Sequence, residues 1–331
     1  MFMNSSKFII LLMMIFSIFF CLSSNSWFMI WINMEINLFM FLPLINNKNM
    51  FTSEMMMKYF IIQTISSLMI FNFLMIMWIY LLNKNFFILI INLCLLMKLG
   101  SSPFHFWYIQ IIEKMYWFNF FLLSTVQKII PLIMLNYNLN LMMMLIFSSL
   151  NLLMSTFGGM NQTSLRKILG YSSINHLGWM ILIININEIL WYIYMFCYMF
   201  ILLNITFMFN YMKINYMNQM YFFNNFYMNM TFFFLIFMSL GGLPPFLGFL
   251  PKWMTINFMI NNNLILMMSI MIMSSLIILY FYFQPFYSTL MINSLKYKWL
   301  INFNKNNIKF YIFNYIYLSL FFFFLNLIMF I

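Results

Sequence analysis

The chain has 331 residues, of which 66% are hydrophobic, 23% aromatic and 6% charged, with a formal net charge of +11. Soluble globular domains carry about 25% charged residues, so 14 Lys, one Arg, four Glu and no Asp are too few to wet a folded surface of this size. Disorder needs the opposite composition. What remains is an all-α polytopic membrane protein solvated on most sides by lipid.

The composition carries a second signal. There is no Ala, one Val (Val126) and one Arg (Arg166), against 40 Met and 46 Phe. The missing residues have GC-rich codons, and so many Met fit a code that reads AUA as methionine, as in animal mitochondria. Asn and Lys therefore say little singly. Gly and Pro, at eight and seven copies, say more where they cluster. Cys21, Cys94 and Cys197 lie far apart in apolar runs, and His105 and His176 are the two histidines. No CxxC pair, metal-ligand spacing, dinucleotide fingerprint or phosphate loop is found. No metal site and no cofactor site is expected in this chain, and no cleavable presequence is expected before the first apolar run.

A helix needs about 20 apolar residues to cross the hydrocarbon core. In chain order the predicted spans are 8–23, 26–45, 55–82, 86–112, 116–137, 139–158, 168–185, 188–212, 231–258, 264–292 and 309–331. The loops between them are short, and no separate soluble domain is predicted. With this count, Lys7, Lys48, Lys58, Lys114, Arg166, Lys167, Lys213, Lys296, Lys298, Lys305 and Lys309 fall on one side and Lys84 on the other. That is a strong positive-inside bias, putting the N-terminus in the matrix and the C-terminus in the intermembrane space. The basic residues are scattered over loops, so no nucleic-acid partner is expected.

Four charges fall inside spans: Glu35, Lys98, Lys128 and Lys252. Each would cost about 2.5–3.5 kcal/mol at a helix centre facing lipid, so they are expected to face protein or water. The plain alternative is that they only fix helix packing. Lys58 and Lys84, near span ends, can snorkel.

Two spans contain helix breakers. Span 86–112 holds Lys98, Gly100, Pro103 and His105, and span 231–258 holds Gly241, Gly242, Pro244, Pro245, Gly248, Pro251 and Lys252. As continuous helices they would reach about 40 Å, longer than a crossing needs, so both are predicted to be discontinuous. Broken backbone is tolerated in a membrane where it lines protein or a wet cavity. The two lie five spans apart, which reverses topology and implies an inverted repeat: 1–137 as the first five-helix half, 138–292 as the second, and 293–331 as a loop and final helix. Paired broken helices are the usual sequence pointer to a transport site.

These residues also carry a resemblance. The stretches SNSWFMIWINMEINL (24–38), KYFIIQTISS (58–67), KLGSSPFHFW (98–107), QKIIPL (127–132), GGMNQTSLRKILGYSSINHLGWM (158–180) and LGGLPPFLGFLPKW (240–253) resemble, in order, those of the antiporter-like membrane subunits of mitochondrial respiratory complex I, of insect type. The last 70 residues match only in hydrophobic character. The resemblance implies inverted five-helix bundles around a hydrated path. Glu35 would be the early-helix glutamate, Lys98 the broken-helix lysine, Lys128 the connecting lysine and Lys252 the lysine of the second broken helix. His176 would be a relay or a hydrogen-bonded packing residue. His105 is expected to cap or bond the broken backbone, and Glu54 to belong to a capping arrangement.

The resemblance further implies a non-redox, proton-conducting subunit of an enzyme that oxidises NADH and reduces ubiquinone. NADH, FMN, iron–sulfur clusters and ubiquinone would be bound by other subunits. The expected partners are neighbouring antiporter-like and accessory subunits of the membrane arm and phospholipids such as cardiolipin, in the mitochondrial inner membrane. A stand-alone cation/proton antiporter and a structural scaffold are the alternatives. An exchanger working alone would be expected to hold Asp or paired carboxylates, which this composition does not favour.

Overall fold

A computed structural model of the chain describes residues 5–46, 50–79, 84–138, 140–220 and 227–293. Among them are fourteen helices and no strand beyond one isolated bridge. In chain order they are α1 (Ser5–Ser23), α2 (Trp27–Ile45), α3 (Met50–Ile79), α4 (Lys84–Leu99), α5 (Phe106–Lys114), α6 (Trp117–Ser124), α7 (Val126–Tyr137), α8 (Leu141–Gly159), α9 (Leu165–Ile186), α10 (Glu188–Met212), α11 (Met217–Met220), α12 (Tyr227–Gly241), α13 (Phe249–Asn261) and α14 (Ile265–Asn293).

The first ten expected segments each fall on one of these helices or on an interrupted pair. The eleventh, 309–331, lies outside the described residues, as do Lys48, Lys296, Lys298, Lys305 and Lys309. Among the described residues, seven helical stretches are long and apolar enough to cross a membrane, one of them the α6–α7 pair over Trp117–Tyr137. α9, at 22 residues, is less apolar because it carries Arg166, Lys167, Ser172, Ser173, Asn175 and His176.

The chain divides into two compact units. The first runs to Gly158 and includes Leu169–Glu188. Its buried faces follow helical periodicity: α2 buries Ile30, Asn33, Met34, Asn37, Leu38, Phe41, Leu44 and Ile45, the i, i+3, i+4, i+7 stripe of a one-sided helix. Ser26 caps α2 by accepting from the Met29 N–H. On α1 only Met14, Ser17 and Cys21 are buried, while Phe16, Phe19 and Phe20 are 50–61% exposed. Such a face is stable against acyl chains and not against water. From Leu169 to Ile184, by contrast, α9 is almost wholly buried. α4 packs on α3 and α7, and α2 on α1 and α3.

The second unit takes Gly159–Ile168 and the chain from Ile189 onward. Its core is aromatic: Phe209 stacks on Phe233 at 5.2 Å, and Phe237 meets Tyr282 at 5.3 Å and Phe286 at 5.6 Å. A backbone clasp closes one end. The Leu165 N–H donates to Asn215 O (3.0 Å), the Met217 N–H to Thr163 O (3.1 Å), and Arg166 donates to Asn215 Oδ1 (2.6 Å). The Gln219 side chain accepts from the Asn215 and Tyr216 N–H groups.

Both predicted breaks are present. α4 ends at Leu99, and Gly100 follows at φ +66°. The Gly100 N–H donates to Met97 O and the Ser101 N–H to Leu96 O, the paired 5→2 and 6→1 bonds of a Schellman cap. α12 ends at Gly241, and Gly242 follows at φ +76°, its N–H donating to Ser239 O and the Leu243 N–H to Met238 O. The two breaks thus use one device, and both φ values lie where a side chain is disfavoured. Each break also contains one cis bond, Ser102–Pro103 and Pro244–Pro245.

A third interruption was not expected. The span 116–137 divides at Thr125 (φ −121°, ψ −74°) into α6 and α7. Phe121 O accepts both the Thr125 N–H at 3.1 Å and Thr125 Oγ1 at 2.6 Å, so the threonine hydroxyl shares the carbonyl that closes the last turn of α6. Pro131, inside α7, has no N–H to give Gln127 O.

Candidate proton-conducting site

In the first unit, α2 and α4 bring Glu35 and Lys98 together. Lys98 Nζ stands 4.0 Å from Glu35 Oε1, with side-chain exposures of 3% and 17%. That distance couples the charges without a hydrogen bond, and Glu35 Oε1 has no hydrogen-bond partner. It contrasts with Glu54, whose oxygens lie 2.6 Å from Lys58 Nζ and 2.8 Å from Lys114 Nζ. Glu54 belongs to this exposed triad, of which Lys58 is part.

Lys98 sits in the last turn of α4, where carbonyls lack intrahelical donors. Its own carbonyl accepts from Gln63 Nε2 at 3.1 Å, and Leu96 O accepts from Ser101 Oγ at 2.9 Å. The Ser102 N–H donates to Asn151 Oδ1 of α8. The break is therefore wired into α3 and α8 by side chains, as the low dielectric requires.

Lys128 follows the Thr125 interruption and is 2% exposed. Its Nζ lies 4.7 Å from the centre of the Tyr108 ring and 3.4 Å from Ser173 O. Tyr108 Oη is hydrogen-bonded to Ser173 Oγ at 2.6 Å. The ring face supplies a cation–π contact in place of a carboxylate.

Lys98 and Lys128 line the same small cavity. It measures about 20 Å³, and its walls are Tyr59, Gln63, Lys98, Leu99, Trp107, Tyr108, Leu123, Gln127 and Lys128. A cavity needs about 10–15 Å³ and two to four polar partners to hold a water molecule, so this one has room for one. A hydrogen-bonded chain runs beside it: Tyr59 Oη donates to Gln127 Oε1 (3.1 Å) and Gln127 Nε2 to Asn37 Oδ1 (2.9 Å).

Residues 24–278 match the family model described as NADH:quinone oxidoreductase/Mrp antiporter, transmembrane. The chain is 43% identical over 310 residues to NADH-ubiquinone oxidoreductase chain 2 of Anopheles gambiae, covering 90% of each sequence. The chain belongs to this family. Its fold is shared with a chain of respiratory complex I from Thermus thermophilus (TM-score 0.78, 15% identity, 86% of this chain and 71% of that one). A chain of the Mrp complex from Dietzia sp. is also similar (TM-score 0.74, 14% identity, 84% and 59%).

The other sequence-derived residues stand as follows. His176 is 6% exposed on α9, one turn from Ser172 and Ser173, and the adjacent Asn175 donates to Ser155 Oγ at 3.3 Å. His105 occupies the N-cap of α5 without a side-chain capping bond, and its ring stacks on Phe106 at 4.4 Å. Lys252 lies on α13 in the second unit, 6% exposed, and donates to Gly241 O at 2.9 Å. It thus supports the carbonyl at the end of α12, reaching back across the break.

The two broken-helix lysines are not in equivalent positions. Taking Gly100 with Gly242, and hence Pro103 with Pro245, Lys98 precedes its left-handed glycine by two residues while Lys252 follows its own by ten. Tyr59, Gln63, Tyr108, Gln127 and Asn37 were not singled out in the sequence. Glutamine was the available signal, since the chain has six and two of them line the cavity.

Proposed function

We propose that this chain is a core membrane-arm subunit of the proton-pumping NADH:ubiquinone oxidoreductase, carrying protons along buried Glu and Lys residues. The observation that carries the reading is the Glu35–Lys98 pair at 4.0 Å, with Lys98 and Lys128 on the walls of one water-sized cavity. The relatives named NADH-ubiquinone oxidoreductase chain 2 support the assignment to that enzyme.

In this reading the chain acts by moving charge. A proton on Lys98 is held by the Glu35 carboxylate. Weakening that pair releases the proton to the cavity water, and Lys128 takes it up from the same water. The Tyr108 ring stabilises the new ammonium, and the Ser173 carbonyl accepts one of its N–H bonds. Lys252 and, as a further relay, His176 extend the path. At about 10 Å and an effective dielectric near 20, one charge still changes its neighbour's energy by about 1.7 kcal/mol, enough to bias a proton without trapping it. NADH, FMN, iron–sulfur and ubiquinone chemistry belongs to other subunits.

The same reading has eleven spans arranged as two inverted five-helix halves and a final helix, in the mitochondrial inner membrane. The N-terminus and the basic loops lie in the matrix and the C-terminus in the intermembrane space. Antiporter-like and accessory subunits flank the chain, and an acidic phospholipid such as cardiolipin sits against the basic loops.

The test is to solubilise the source mitochondria in mild detergent, separate complexes on a native gel, stain for NADH dehydrogenase activity and locate this chain's peptides by mass spectrometry. They should peak in the large NADH-active band. Peptides running alone at low mass would overturn the assignment and favour a stand-alone exchanger.

A further inference from the structure

The ring that faces Lys128 is seated by the first break. A Cβ on Gly100 would stand 2.8 Å from Tyr108 Cβ and 3.1 Å from Tyr108 Cγ. Glycine is therefore needed there twice, once for φ +66° and once for the tyrosine packed against it. The far end of the ring is pinned to α9, where Tyr108 Oη and Ser173 Oγ are 2.6 Å apart. Trp107 stands edge-on to the ring at 5.9 Å. Tyr108 is fully enclosed, so these contacts hold the ring in one orientation. Lys128 Nζ lies 4.7 Å from the ring centre, inside the roughly 6 Å reach of a cation–π contact. Among the described residues no carboxylate is paired with Lys128.

Counting hydrogens separates the ring from the hydroxyl. A serine hydroxyl has one hydrogen to give, and Ser173 Oγ donates it to Gly170 O at 2.7 Å. The short bond between Tyr108 and Ser173 must then carry the tyrosine's hydrogen. The chain runs from Tyr108 to Ser173 to Gly170 and ends on a backbone carbonyl, which has no proton to pass on. The hydroxyl thus fixes the ring against α9 and gives a proton no way out through Ser173.

We propose that Tyr108 is a positioning residue for proton transfer to Lys128 and that it acts through its ring face, not as a hydroxyl relay. This rests on the proton-path reading and names a further residue of that path. The break at Gly100 then has a second use: it sets the ring against Lys128 as well as ending α4 beside Lys98. Removing the hydroxyl strands no donor, because Ser173 keeps its bond to Gly170 O. Removing the ring takes away the negative face that stands where a carboxylate would otherwise be needed.

The experiment measures protons translocated per NADH oxidised by the intact complex in liposomes, with native-gel retention followed alongside. The variants are Tyr108→Phe, Tyr108→Leu, Lys128→Met and the double change Tyr108→Leu with Lys128→Met. Loss of a desolvated cation–π contact lowers proton occupancy of Lys128 about tenfold, so Tyr108→Leu should drop the ratio towards that of Lys128→Met. Tyr108→Phe, which keeps the ring, should restore most of what leucine loses. The double variant should fall no further than Lys128→Met alone, because the ring acts only through the ammonium. A phenylalanine ratio as low as that of Lys128→Met would overturn the proposal in favour of a hydroxyl relay, and this comparison decides even where the leucine variant does not assemble. A double variant lower than Lys128→Met would overturn it by making Tyr108 a packing residue. An undiminished ratio in Tyr108→Leu, with Lys128→Met impaired, would overturn it and leave the proton path standing. An undiminished ratio in Lys128→Met would overturn the path through Lys128 and this proposal with it.

Discussion

Glu35→Gln keeps the shape of the side chain and removes one charge from the pair with Lys98. At 4.0 Å and an effective dielectric near 20, the lost attraction is about 4 kcal/mol. Part of that is recovered because Glu35 is 17% exposed and the neutral amide is cheaper to bury. Breaking one side of a fully buried pair costs about 3–5 kcal/mol and an exposed pair about 0–1 kcal/mol; a net cost of about 2–3 kcal/mol is expected here. The assay is a double-mutant cycle. Membranes bearing wild type, Glu35→Gln, Lys98→Met and the double variant are heated in steps, and the chain retained in the NADH-active native-gel band is measured. Each single change should lower the midpoint, and the double change should cost less than the sum of the two. Additive costs would refute the coupling between Glu35 and Lys98.

Three further outcomes follow from the same geometry. Gly242→Ala places a methyl at φ +76° and 2.8 Å from Lys252 Cδ; the left-handed conformation alone costs about 1–2 kcal/mol, so retention in the complex on heating should fall, whereas Gly170→Ala, with an ordinary φ and Ile109 Cδ1 at 3.1 Å, should be milder. Gln63→Leu strands the Lys98 carbonyl, and a buried unpaired acceptor costs about 1–3 kcal/mol, which the same heating assay would register. Gln127→Met breaks the bonds to Tyr59 and Asn37 beside the cavity; protons pumped per NADH should fall while assembly holds, and unchanged pumping would remove Gln127 from the path.

The spans were legible because apolar runs of about 20 residues have little alternative in a chain so poor in charge. The two long breaks were legible because Gly and Pro are scarce here and cluster at Gly100–Pro103 and Gly241–Pro251. The interruption at Thr125 was not, because a threonine whose hydroxyl bonds the i−4 carbonyl looks the same in sequence inside a continuous helix as at a break. Tyr59 and Tyr108 were hidden by composition, since 20 Tyr give no contrast. Lys98 and Lys252 were both seen to lie beside breaks. That one precedes its left-handed glycine and the other follows it became visible only once the φ values fixed the register. The Glu35–Lys98 pairing was implied by resemblance, whereas the cavity joining Lys98 to Lys128 depends on three-dimensional packing that no spacing encodes.

The most direct measurement is protons translocated per NADH oxidised by the complex containing this chain, reconstituted in liposomes, with and without Lys98→Met. The account predicts that the variant complex assembles and still transfers electrons when uncoupled, and that the ratio drops. An unchanged ratio in an assembled, active complex would contradict proton conduction through Lys98 and leave the buried charges a purely structural role.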